Sequence, residues 1–193
     1  MEWTSDSTRG HWLRPLLDPS WSDMHLVAGV ELHGGELILD AAGWRYLEPR
    51  QGNLDPRVLA GVATHLADHT TTPDVGIAAV WEGWGGQPTV VAAAPRLVLP
   101  DRAHYLFAAG VREFTDPSWT AGAPWVDDRW PNSPSILWPD DHTWVLVSEV
   151  DFDSTVVAGS RALIDALVAD PTIEAHEIPE GARLDSASDT LNH

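Results

Sequence analysis

Three carboxylates alternate in the stretch Ser148 to Asp153: Glu149, Asp151 and Asp153. On an extended chain they share one face, about 7 Å apart. Carboxylates grouped like this do not all ionise cheaply unless water or a cation screens them. Oxygen-rich sets of that kind suit Mg²⁺ or Ca²⁺. The spacing is too wide for the three to converge unaided, and the pattern of a known cation-binding loop is missing. The plainer reading is a solvated acidic strip that keeps a strand edge from aggregating. A strip that meets a partner protein is the third reading.

Other candidate groups are weaker. His65 and His69 lie four apart on an expected helix, as two histidine ligands on one helical face would. The residues between them are Leu66, Ala67 and Asp68, so the metalloprotease glutamate is missing. Two ligands also fall short of the three or four that zinc takes. Glu82 sits between Trp81 and Trp84, where apolar rings can raise a carboxyl pKa and make a general acid. No second carboxylate pairs with it in sequence, and a solvated loop glutamate is the simpler reading. Ser160 follows Gly159 at an expected helix start, a place for a cap or an anion. Its surroundings, VAGSRA, lack the glycine of a nucleophile elbow. With no cysteine in the chain, thiolate chemistry, disulfides and thiolate-held metals are out. The sequence implies no cofactor and favours no metal.

Eleven tryptophans are many for 193 residues. Trp119, Trp125 and Trp130 fall between Val111 and Pro134, a Trp-, Pro- and Asp-rich segment without sustained periodicity. It reads as a long surface loop. Its rings either stack on a sugar, anchor a partner, or pin the loop to the core. Leaving one in water forgoes about 2 kcal/mol of burial.

The elements that position these groups are clearest between Ser133 and Ile178. Ile136-Leu137-Trp138, the turn Pro139-Asp140-Asp141 and the run from Thr143 to Val147 predict a hairpin. The second strand reads as continuing, with Trp144, Leu146, Val150 and Phe152 inward. Val145, Val147, Glu149, Asp151 and Asp153 then point the other way. Ser160 caps a helix with the stripe Leu163, Ile164, Leu167, Val168, stopped at Asp170-Pro171. Thr172 to Ile178 forms a closing strand.

Upstream, Asp55-Pro56 opens a helix with Val58, Leu59, Val62 and Leu66 inward. Asp74 to Trp81 reads as a strand, and Arg96–Leu99 with His104–Phe107 as a hairpin. Met24–Leu32 with Glu36–Leu39 predicts another. The sum is an α+β class: a single domain over 11–178, mostly antiparallel sheet with two main helices packed on it. Residues 1–10 read as a flexible N-terminus, and 179–193 as a disordered acidic tail.

The segment SILWPDDHTWVLVSEVDFDSTVVAGSRALIDALVADPTIEA resembles a family of uncharacterised, acidic, Trp-rich proteins from GC-rich bacteria. In that family a Trp-Pro-x-Asp turn leads to a Trp-bearing strand, an acidic E-x-D segment, a Gly-Ser cap and a helix ending in Asp-Pro. Val80 to Trp84 and Pro95 to Phe107 are similar too. The likeness spans about the last two-thirds of the chain, and Met1 to Gly52 departs from the pattern. The resemblance implies a fold and carries over no activity and no site residue.

Net charge is −18, from 11 basic and 29 acidic residues. All the basic residues are arginine, and from Asp140 to Ile178 nine acids face Arg161 alone. Such a surface repels nucleic acid and anionic lipid. No run is apolar and long enough to cross a membrane. The opening MEWTSDSTRGHW has no apolar signal core, which predicts a cytoplasmic protein. Two functions fit. One is a non-enzymatic interaction module, an immunity- or antidote-like binder of a basic protein. It would use Glu149, Asp151, Asp153, Trp119, Trp125 and Trp130. The other is a small-molecule-binding or divalent-metal-dependent enzyme built on the same three carboxylates.

Overall fold

The computed structural model describes residues 1–10, 12–13, 29–33, 37–38, 45–46, 51–85, 89–100, 102–126, 131–152 and 154–179. Eleven strands are described, β1 (Glu2–Thr4), β2 (Gly29–His33), β3 (Leu37–Ile38), β4 (Arg45–Tyr46), β5 (Gly76–Trp81), β6 (Leu97–Leu99), β7 (Arg102–Ala108), β8 (Ile136–Pro139), β9 (Val145–Val147), β10 (Thr155–Ala158) and β11 (Glu174–Ile178). The two main helices are α1 (Pro56–Asp68) and α2 (Arg161–Ala169). Nine strands form one sheet in the order β1-β7-β5-β8-β9-β10-β2-β11, with β6 also paired to β7. Every pairing is antiparallel. This is a single-domain α+β fold.

Strand alternation sorts the core onto two faces. Ala78, Val80, Tyr105, Phe107, Leu137, Trp144, Leu146 and Val157 meet the buried stripes of α1 and α2. Ile77, Ala79, Leu106, Ile136, Trp138 and Val145 form the second face, with Leu13, Leu97 and Leu99. Strand β5 is central and covered on both faces, which is why its apolar run is nearly continuous.

The helices start where the sequence places them. The Asp55 side chain accepts from the Arg57 amide, and Ser160 from the Leu163 amide. Leu59, Val62 and Leu66 of α1, and Leu163, Ile164 and Leu167 of α2, are enclosed. Val168 is not: it is 45% exposed, so the buried stripe of α2 is narrower than expected. The β8–β9 and β6–β7 hairpins also form.

Five expectations need correction. Residues 1–10 are not a loose end: Trp3 pairs with Phe107 as β1 lies along β7. The strand at 29–33 does not turn back onto 36–39. It runs between β10 and β11, while β3 pairs with β4. The long strand expected as far as Asp153 ends at Val147. Chain direction reverses after Val147, and Val156 pairs with Val147. The described part of segment 111–134 is not a surface loop, because two 3₁₀ turns, Val111–Phe114 and Pro117–Ala121, lay Phe114 and Trp119 into the core. Finally, β10 adds a strand before α2. Residues 180–193, Trp130 and Asp153 lie outside the described residues.

Candidate functional site

One end of the sheet gathers the polar chemistry. There β5 ends, β7 begins and β9 gives way to the loop 148–154. The Ser148 and Thr155 hydroxyls meet at 2.7 Å and close the neck of that loop. The Ser148 amide donates to the Ser135 carbonyl (2.8 Å) and that of Phe152 to the Glu149 carbonyl (3.0 Å). Gly52 buttresses the loop by donating to the Phe152 carbonyl at 2.8 Å. Gly52 has φ +63°, and a Cβ there would lie 2.5 Å from Val150 Cα, so glycine is required.

This loop delivers Glu149 and Asp151 to one arginine. Arg102 Nε donates to Glu149 Oε1 at 3.2 Å, and Nη2 lies 3.1 Å from the same oxygen. Nη2 also donates to Asp151 Oδ2. The guanidinium lies 5.6 Å from the centroid of the Trp81 ring, within range of a cation–π contact. Glu149 is thus half-buried and Asp151 exposed, at 35% and 72% of their side chains. Glu149 and Asp151 are not part of an alternating strand face. They project from a turn and converge on a cation that the chain itself supplies.

Two residues along β7, His104 is 4% exposed. Its register partners are Trp81 and Leu97. Its Nδ1 is buried with no hydrogen-bond partner. Burial, with Arg102 adding its charge, pushes the imidazole pKa down to about 4. Nearby, Arg96 Nε pairs with Glu82 at 2.7 Å, and Arg96 Nη2 donates to the Tyr105 hydroxyl at 3.1 Å. Glu82 is therefore an ion-paired surface residue beside the edge-on Trp81–Trp84 pair.

The remaining candidates disperse. His65 Nε2 contacts Asp170 at 2.7 Å, whereas His69 Nδ1 turns to the His65 carbonyl at 2.8 Å, so the two rings share no ligand. Trp119 and Trp125 are 4% and 7% exposed. Trp119 packs on Phe114 and Trp125 on Phe107, and the Trp125 indole donates to the Asn132 carbonyl. They pin their segment and are not open to a partner. Among the described residues no three His, Asp or Glu side chains are arranged to hold a metal ion. No described helix is long and apolar enough to cross a membrane.

At the opposite end of the sheet lies a cavity of about 250 Å³ lined by Met1, Arg9, Asp74, Gly76, Gly110 and Glu113 among others. Its charges answer one another: Met1 with Glu113, Arg9 with Asp140, and Arg112 with Asp74. No family model matches the chain, and no curated protein or solved structure is significantly similar to it.

Sequence reading missed Arg102 and His104. Both stand in a plain strand signature, RAHYLF, and only the fold brings β7 beside a loop nearly 50 residues away. The one available signal was compensation, since a chain with few cations places each where acids crowd.

Proposed function

We propose that the protein is a cytoplasmic, non-enzymatic interaction module that binds a basic protein through its carboxylate-rich surface. The supporting observation is the distribution of its cations. Arg9, Arg96, Arg102, Arg112 and Arg161 are engaged with acids of the chain itself, while Arg57 stands exposed with no ion pair described for it. The charge left over is negative. Glu2, Asp68 and Glu174 stand exposed, and no ion pair is described for them. A field of one sign speeds encounter with a partner of the other. The tryptophans do not anchor that partner, because Trp119 and Trp125 lie in the core. The contact is therefore carried by charge and depends on salt.

Capture from the source lysate at low and at high salt tests this reading. The expected result is a basic protein that is retained at low salt and elutes as salt rises. Retention of acidic or neutral proteins only, or of a partner indifferent to salt, refutes it.

A further inference from the structure

Among the described residues, His104 is the titratable group among the buried polar atoms left without a partner; the others are indole nitrogens and the Ser154 hydroxyl. Natively unsatisfied groups of this kind call for an explanation. A neutral imidazole carries one N–H, and the protonated ring carries two. At His104 the protonated ring would carry an Nδ1–H that meets no acceptor in place. Among the described residues, the charged groups on the elements around it are few. Arg102 precedes it on β7, and the loop 148–154 brings Glu149 and Asp151 to Arg102. The turn after β5 carries Glu82, already paired with Arg96 on the approach to β6. Both Glu149 and Asp151 are thus held by the cation beside His104.

We infer that His104 and Arg102 form an acid-released latch on the 148–154 loop. Protonating the buried ring sets an imidazolium beside the guanidinium, with no acceptor for its new N–H. Either Glu149 turns from Arg102 to the imidazolium, or the start of β7 moves out towards water. The first undoes the contact of Arg102 with Glu149, and the second also those with Asp151 and the Trp81 face. The loop then keeps its Ser148–Thr155 neck and its backbone bonds to Ser135 and Gly52, and loses its tie to β7 through Arg102. At neutral pH the latch is silent, because burial keeps the ring in its base form. This inference stands whether or not a basic partner binds the acidic surface.

An NMR titration of the intact protein tests it with three reporters. They are the His104 ring, the Arg102 Nε–H, and the Trp144 indole N–H, which donates to the Leu66 carbonyl in the core at 3.0 Å. The His104 ring is expected to titrate near pH 4. With the same midpoint, Arg102 protection corrected for intrinsic exchange should fall about tenfold, a local opening. The Trp144 signal should persist throughout. In His104→Phe, Arg102 protection should outlast the wild-type midpoint; His104→Gln repeats the comparison should the apolar ring not be accommodated. Unchanged Arg102 protection while His104 protonates overturns the latch. So does loss of the Trp144 signal at the same midpoint, or release at the wild-type midpoint in a folded His104 variant.

Discussion

Strand β9 has an acidic turn at each end, and the two are held in opposite ways. Before it, Asp141 lies in the turn that joins β8 to β9. Its carboxylate accepts from the Thr70 hydroxyl, the Thr71 amide and hydroxyl, and the Thr143 amide and hydroxyl, at 2.7 to 3.3 Å. His142 completes that turn at φ +55°, a left-handed conformation uncommon outside glycine, and its ring stacks on Trp12 at 4.3 Å. After β9, Glu149 and Asp151 are held by a guanidinium at the surface. Burial alone would raise the Asp141 pKa, but the bonds from Thr71, Thr70 and Thr143 outweigh it and hold the group far below the usual carboxylate range. The first turn is fixed by geometry and the second by charge. Acid and salt should therefore find the second end first.

The largest expected difference is in pH dependence. The His104 pKa is lowered from 6.5 to about 4 in the folded chain, so the unfolded chain binds more protons in that window. Stability then falls as pH drops from about 6.5 towards 4, by roughly 3 kcal/mol in all. Asp141 acts in the same direction but at lower pH. Its contribution is present above the unfolded carboxylate pKa and is lost only as pH falls through the depressed folded value. Denaturant melts of wild type and His104→Phe across this range measure the first effect, and the variant should flatten the slope. Equal slopes would mean that the orphaned ring does not govern acid sensitivity.

Asp141→Ala should come next, at about 2 kcal/mol, since hydrogen bonds to a charged acceptor are worth more than neutral ones. It removes the acceptor shared by the α1–β5 connection and the β8–β9 turn. The loss should be nearly the same at low and high salt, because the donors are hydroxyls and amides. A thermal melt at two ionic strengths decides this. A loss that shrinks strongly with salt would put both turns in one class.

The contrast also marks where sequence reading holds. Asp55 and Ser160 announced their helices because capping needs only residues within one turn. The hairpin at Pro139-Asp140-Asp141 was legible because its turn chemistry is local as well. The break after Val147 was not. Val150 and Phe152 preserve strand alternation through the loop, and the reversal depends on Thr155, Ser135 and Gly52, which are near only in the fold. Likewise β2 was matched to the adjacent 36–39 segment, whereas its partners come from residues beyond 150. The aromatic segment 111–134 looked like a surface loop because 3₁₀ turns leave no long period. Its burial shows only once α1 and the sheet stand beside it. The carboxylates were noticed by type, yet Arg102, the partner of Glu149 and Asp151, was invisible until two hairpin tips met.

Within the charged end the smallest effects separate its two acids. Arg102→Ala should cost about 1 kcal/mol at low salt, the sum of a partly exposed ion pair and a cation–π contact. Most of that should vanish in high salt. Asp151 is 72% exposed against 35% for Glu149, so water already solvates most of its charge. A double-mutant cycle between Arg102→Ala and Asp151→Asn should give a coupling below about 0.5 kcal/mol, with a larger value for the cycle through Glu149→Gln. If the Asp151 coupling matched or exceeded that of Glu149, the exposed contact would hold the loop, and the site would not be ordered by burial. Equal couplings that survive high salt would go further. They would make the guanidinium end as rigid as the Asp141 turn, and acid release through His104 would then have to break a fixed structure instead of tipping a balanced one.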